Sequence, residues 1–393
     1  MTNQSRPGRT DLVPQTTAER YLESLQQRVY QSLGLTAEDC QRRELAGQQV
    51  VLPARLQQKA LELSDLEFHE YRAALLEGLT RDEQAPRPTR YERPHQYSIL
   101  RDLKAAIERA TTRLGVDLPI TPVIGTLPTR QLEPLMLPVP GTTDEVVLVV
   151  DGQLLTYANL LAKAVAQALP LDSLDDAGHG WLEAADWDHL VDLDGTATRR
   201  FLELMFAAVS STPGNAPSYL PEASYEQIAG DLCESMELFL VGREYARISE
   251  GDHLLARSQR RVAHGETFDA LAWTGEQEER ADCLGLALML VAADDLGQSL
   301  RWAYWSADLL LESFGLIHRT HVLLGCQASE YFTLPVANPY DTRRRLLREM
   351  MLKWEGGHLV VAFADAMRPV MRVLGERLEA ALCDLRFGSA VRH

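Results

Sequence analysis

Cysteine is scarce in this chain: five in 393 residues, Cys40, Cys233, Cys283, Cys326 and Cys383, with no CxxC spacing among them. That excludes a disulfide frame and a thiolate zinc cluster, and thiols scattered through apolar helical sequence read as reduced and cytoplasmic. Long hydrophobic runs are missing too. The longest, Cys283 to Ala293, is too short to cross a bilayer, and Arg301 to Cys326 is interrupted by Arg301, Asp308, Glu312, His318 and Arg319. No membrane partner is expected. Positive charge is in deficit, 39 Lys and Arg against 56 Asp and Glu for a net charge of -17, which argues against a nucleic-acid partner as well. Met1 to Pro14 has neither an apolar core nor a cleavage-like site, so residues 1–15 read as a disordered tail and not as a targeting segment.

Strand-forming sequence is equally sparse. The best strand is Glu145 to Asp151, a β-branched run bounded by turn residues, and Leu118 to Thr129 reads as an edge strand broken by prolines. Nearly everything else has helical periodicity. Tyr21, Leu22, Leu25, Val29 and Leu33 form one stripe, and Leu56 to Leu79 carries one or two more. Asp82 to Ser98, rich in proline and charge, reads as a linker. The predicted organisation is therefore an N-terminal helical arm and linker over 16–97 and a larger domain over 98–393, in an α+β, mostly helical fold class.

The stretch with the most to say is Ser224 to Leu254. It predicts one helix about 40 Å long, with Ser224 as N-cap, Gln227 at N3 and a stop at Gly251. Its apolar stripe runs through Ile228, Leu232, Met236 and Phe239; four residues on, where another apolar side chain is due, stands Arg243. Arg247 follows one turn later on the same face, with Glu244 beside them. A second predicted helix, beginning near Glu276, carries Glu278 and Asp282 one turn apart.

Arg243-Glu244-Tyr245-Ala246-Arg247 has the spacing of HExxH with both histidines replaced, and Glu278-Glu279-Arg280-Ala281-Asp282 has the form ExxAD. With Gly242 before the first element and Gly251-Asp252-His253 after it, the chain resembles the gluzincin zinc metallopeptidases. Asn338-Pro339-Tyr340 and the following Arg343 are similar to the His-Pro-Pro and downstream arginine that several gluzincins carry. The resemblance implies a zincin-like core, an active-site helix and a ligand helix beside a small sheet. It places Arg243, Arg247 and Glu278 at the former metal-ligand positions, Asp282 behind them, and Glu244 at the position of the general base. Arginine has no lone pair to offer a metal, so neither zinc nor proteolysis is expected. Ion pairs are expected instead, Asp282 with Arg243 and Glu278 with Arg247.

Three functions remain open on this sequence. One is a catalytically inactive peptidase-like protein that binds proteins or peptides or regulates them. Another is an active zinc peptidase with rearranged ligands, His253 or His264 with Glu244 and Glu278. The last is an unrelated helical scaffold, in which Arg243 and Arg247 are exposed surface charges. Two modes of partner binding are motivated: strand addition of a peptide at the Val146 to Val150 sheet edge, and self-association through the N-terminal helices. The acidic stretch 171–194, with His179, Trp181, Trp187 and His189, fits no calcium-loop order and reads as a solvated loop; His318 and His321, one turn apart, lack a third ligand nearby.

Overall fold

The computed structural model describes residues 15–170, 195–210, 212–324 and 338–388. Residues 1–14 of the expected tail, the acidic stretch 171–194 and Cys326 lie outside them. The fold is α+β and mostly helical. Helix α1, Thr17–Ser32, opens with a Thr16/Glu19 capping box and buries Leu22, Leu25 and Val29 on the stripe that the sequence shows. Helices α2, Ala37–Glu62, and α3, Asp65–Gln84, follow, each with its own capping box. They form a hairpin in which α3 buries no residue, tied to the remainder by polar contacts such as Gln58 Nε2 to the Pro221 carbonyl at 3.1 Å and the Lys59–Glu226 ion pair.

The 16–97 segment is thus not uniform: α1 packs into the core while the α2–α3 hairpin lies on it. Nor does the tract 82–98 behave as a free linker. Thr89, Tyr91 and Glu92 are buried in it, and Tyr91 stacks on Tyr30 at 5.7 Å. The Glu92 carboxylate accepts from Thr126 N at 2.9 Å, Thr126 Oγ1 at 2.8 Å and Gln26 Nε2 at 2.6 Å, locking α1 to the first strand. Proline and charge mark a chain without regular structure; they do not mark one without packing.

Helix α4, Pro94–Leu114, leads to a three-stranded sheet of β1, Val123–Thr126, β2, Leu135–Pro138, and β3, Val146–Val150. The order is β1-β3-β2, with β1 parallel and β2 antiparallel to β3. The expected free edge at Val146 to Val150 is therefore corrected: β3 is the central strand, paired on both sides, and cannot take up a peptide. All five of its residues are buried, Val147 and Val149 against α1 and Leu148 and Val150 against the main core. A continuous β-branched run is what a strand covered on both faces needs, so the most strand-like sequence sits at the centre.

Next come α5, Gly152–Ala168, α6, Thr196–Val209, and the long helix α7, Ala223–Ser249. Its N-cap is Glu222, with no side-chain cap bond, so the expected Ser224 cap is corrected: the cap lies two residues earlier, directly after Pro221, and Ser224 lies inside the first turn. It ends at Glu250 with Gly251 left-handed at φ 71, as the sequence implies. Every residue from Ser235 to Ile248 is buried, because α4, α5, α9 and α10 surround the helix. A short turn of helix, α8, Asp252–Leu255, and a hairpin of β4, Arg257–Ala263, and β5, Glu266–Ala272, connect it to α9, Gly275–Asp295. Helices α10, Leu300–Leu323, α11, Pro339–Met351, and α12, Gly357–Gly388, complete the chain.

Two glycines set the distance between α7 and α9. A Cβ on Gly285 would stand 2.8 Å from the Arg243 amide nitrogen and from its Cγ, and one on Gly242 would stand 2.9 Å from the Gly285 carbonyl oxygen. No side chain fits between the two backbones. Gly285→Val is expected to lower the unfolding free energy, measured in urea, by roughly 3 kcal/mol, the upper end of an overpacked core. Gly230→Ala on α7, where an added Cβ meets nothing within 4 Å, should be neutral or stabilise by up to about 1 kcal/mol. Equal effects at both sites would mean that the helices are not in contact.

Candidate functional site

The close approach brings four elements to one point. Helix α7 supplies Arg243, Glu244 and Arg247, α9 supplies Glu278 and Asp282, α11 supplies Arg343, and the connection between β1 and β2 supplies Glu133. The Arg243 guanidinium touches three carboxylates: Nη2 to Glu278 Oε2 at 2.5 Å, Nε to Asp282 Oδ1 at 2.6 Å and Nη1 to Glu133 Oε1 at 3.3 Å. Arg247 reaches Glu278 Oε2 at 2.7 Å and pairs with Glu244 Oε1 one turn back. Arg343 forks onto Asp282, Nε to Oδ2 at 2.5 Å and Nη2 to Oδ1 at 2.8 Å, and meets Glu133 at 3.1 Å. Trp273, Tyr340 and Phe239 lie near these cations, the closest with its ring centroid 4.7 Å from the Arg247 guanidinium.

Geometry therefore joins the residues that spacing pairs. Asp282 sits by Arg243 and Glu278 by Arg247, but Glu278 is shared between the two arginines and Asp282 between Arg243 and Arg343. Exposure of Arg243 and Arg247, the expectation of the unrelated-scaffold reading, is overturned: they are 0% and 2% exposed. Asn338 does not join the cluster. Its Oδ1 accepts from Tyr340 N at 3.1 Å, capping the helix that carries Arg343.

The cluster holds three guanidiniums and four carboxylates, and its solvent side is acidic, with the Glu133 side chain 34% and the Glu278 side chain 23% exposed. Burial alone would raise the Glu278 carboxyl, yet Arg247, Arg243 and Arg343 outweigh it and hold the group down at about 2. Glu244 behaves oppositely. Burial pushes it above the ordinary carboxylate value, opposed by Arg247 and then Arg243, and its Oε2 is buried with no hydrogen-bond partner among the described residues. Burial works against the charge on Arg247 and Arg343, but their carboxylate neighbours hold both guanidiniums protonated more firmly than usual.

The histidines of the rearranged-ligand reading lie elsewhere. His253 follows the break at Gly251, and its imidazole bonds the main-chain carbonyl of Arg247; burial holds its pKa below the usual histidine range. His264 occupies the two-residue turn of the β4–β5 hairpin at φ 51, where burial and then Arg130 depress its pKa. Among the described residues no group of three or more His, Cys, Asp or Glu is arranged to hold a metal ion. A zinc ion does not fit the donor set here, because Arg243 and Arg247 have no lone pair and Glu278 is engaged by both.

Glu133 and Trp273 are the members that motif spacing misses. The available signal for Glu133 is its position as the lone charge in the apolar stretch Leu132 to Leu137, just ahead of Pro134 and β2. Compared with known proteins, the chain matches no family model, no curated protein and no solved structure. What supports the gluzincin resemblance is accordingly the residues themselves.

Proposed function

We propose that the chain is a catalytically inactive, peptidase-like binding module, with a zincin-like core in which arginine–carboxylate pairs stand where a gluzincin carries zinc. One observation carries the reading: Arg243, at the first histidine position of the motif, holds both acids of the second element, Glu278 and Asp282. Two guanidiniums bring the positive charge that a divalent ion would bring, and they join the same two helices. They cannot activate a water, since that requires a bound Lewis acid. Glu244, at the general-base position, is tied to Arg247 and buried.

Binding then falls to the surface beside the cluster. With β3 closed on both sides, the open edge next to the site is β4: β5 lies against β2, while Arg257 to Arg260 are exposed and Val262 is 41% exposed. Arg257 and Arg260 pair with no carboxylate among the described residues, a local positive stripe on a chain of net charge -17. Such an edge suits an extended acidic peptide, held by main-chain ladder bonds and by the two arginines. A fluorescein-labelled peptide of alternating Glu and Val should bind the full chain, be recovered uncleaved, and lose affinity about tenfold or more with Arg257→Glu and Arg260→Glu together. Unchanged anisotropy titrations in that variant would remove β4 as the docking strand, and cleavage of the peptide would remove the inactive assignment.

A further inference from the structure

A second polar feature beside α7 is a cavity of about 470 Å³ lined by α4 and α7. Its lining includes Glu237, 7% exposed. The one hydrogen bond that Glu237 makes among the described residues is to the Cys233 thiol, Sγ to Oε1 at 3.6 Å, a weak donor. Its other oxygen has no hydrogen-bond partner among the described residues, and the side chain lines the cavity. A buried carboxylate left this way is costly unless it is neutralised or paired. Burial, with Glu234 adding to it and the Cys233 bond opposing it, pushes the Glu237 carboxyl up to about 8.

Glu234 lines the same cavity one turn earlier on α7, and Asp102 lines it from α4. Glu234 accepts a hydrogen bond from Gln298 Nε2, and Asp102 is paired with Arg101 Nε at 3.1 Å; burial raises the Glu234 pKa first, then Asp231, with the Gln298 bond opposing and Asp102 adding to the rise. The cation in the lining, Arg109, makes no ion pair among the described residues and has no influence on Glu237. Lys163, across α7's neighbour α5, donates to the Tyr219 carbonyl at 3.2 Å and faces Cys233 and not Glu237. The lining also includes the apolar side chains of Leu103, Ala106 and Leu238. Two acids one turn apart on α7, together with apolar side chains in the same lining, describe a ligand with two cationic ends and a hydrocarbon middle.

We propose that this cavity binds a small aliphatic diamine, one ammonium paired with Glu237 and the other with Glu234. Residues three apart on a helix have Cβ atoms roughly 5–6 Å apart, a separation that a four-carbon chain spans. The methylenes lie on Leu103, Ala106 and Leu238, and the net negative charge of the protein raises the local concentration of cations. The ligand's ammonium takes the place of the proton on Glu237, so binding at neutral pH releases a proton to the buffer.

The test is calorimetric titration of the full chain with 1,4-diaminobutane at pH 7 in two buffers of different ionisation enthalpy. A saturable one-site isotherm with a buffer-dependent heat is expected, with 1-aminobutane weaker and butan-1-ol silent. Glu237→Gln should weaken binding at least tenfold and abolish the buffer dependence, while Glu276→Gln, at an exposed acid away from the cavity, changes nothing. Gly230 also lines the cavity and has open space at its Cβ position, so Gly230→Leu fills the space while keeping every acid and should abolish binding. That variant decides the matter if Glu237→Gln does not fold. No saturable heat with the native chain, or equal affinity in the filled-cavity variant, overturns the proposal.

Discussion

Asp282→Asn is expected to destabilise the protein by roughly 3–5 kcal/mol, the cost of breaking a buried ion pair from one side. Asp282 is 0% exposed and carries two guanidiniums at once, Arg243 Nε at 2.6 Å and Arg343 Nε at 2.5 Å. Removing its charge leaves three cations facing Glu133, Glu244 and Glu278, without changing side-chain volume, so the loss reports charge and not packing. Urea denaturation gives the number directly. Glu276→Gln, at the exposed Glu276–Arg280 pair, is the control and should stay within about 0.5 kcal/mol. A loss at Asp282 as small as the control's would mean that water reaches the cluster and screens it.

The same cluster sets an acid limb of stability. Glu278 is held at about 2, below the ordinary 4.5, so its contribution is complete above 4.5 and disappears as pH falls through about 2. Glu92, Asp151 and Glu237 run the other way. Burial raises them to about 7, 6 and 8, so the fold holds more protons there than the unfolded chain does, and stability declines as pH rises toward those values. Glu278→Gln should flatten only the acid limb, and Glu237→Gln only the alkaline one.

How far the sequence discloses this depends on whether a residue breaks its local pattern. Arg243 stands on an apolar stripe where a leucine would be ordinary, and that single misfit led to α7, Glu278 and Asp282. Glu133 breaks a pattern too, but in a loop, where no period assigns it a direction. Gly285 breaks nothing: a glycine in an alanine- and leucine-rich helix looks like a weak spot, and its purpose appears only when another backbone lies against it. The composition of β3 marks it as a strand and leaves its place in the sheet open. Uniform β-branched sequence signals cover on both faces but says nothing of the two edges, which β1 and β2 occupy. The α1 stripe was legible as a helix, while its packing on Val147 and Val149 needed contacts more than a hundred residues away.

The double variant Arg243→His, Arg247→His is expected to take up zinc, about one equivalent by elemental analysis after dialysis, where the native chain takes up none. The argument is geometric. The separation of α7 and α9 is fixed by Gly242 against Gly285, not by the ion pairs, so shortening the two side chains leaves the helices in place. Imidazoles one turn apart then project from the positions of the two guanidiniums, and Glu278, now 2.5 and 2.7 Å from those guanidiniums, is freed to be a third ligand. Asp282 remains held by Arg343 and is available to orient the first imidazole. The removed positive charge is restored by the ion, so zinc should also raise the variant's Tm in proportion to the logarithm of its concentration. Zinc in the native chain would overturn the arginine-for-metal reading and return attention to His253 and His264. Zinc in neither would mean that these helices never had the orientation of a metal site, leaving the cluster as a structural clasp in an unrelated scaffold.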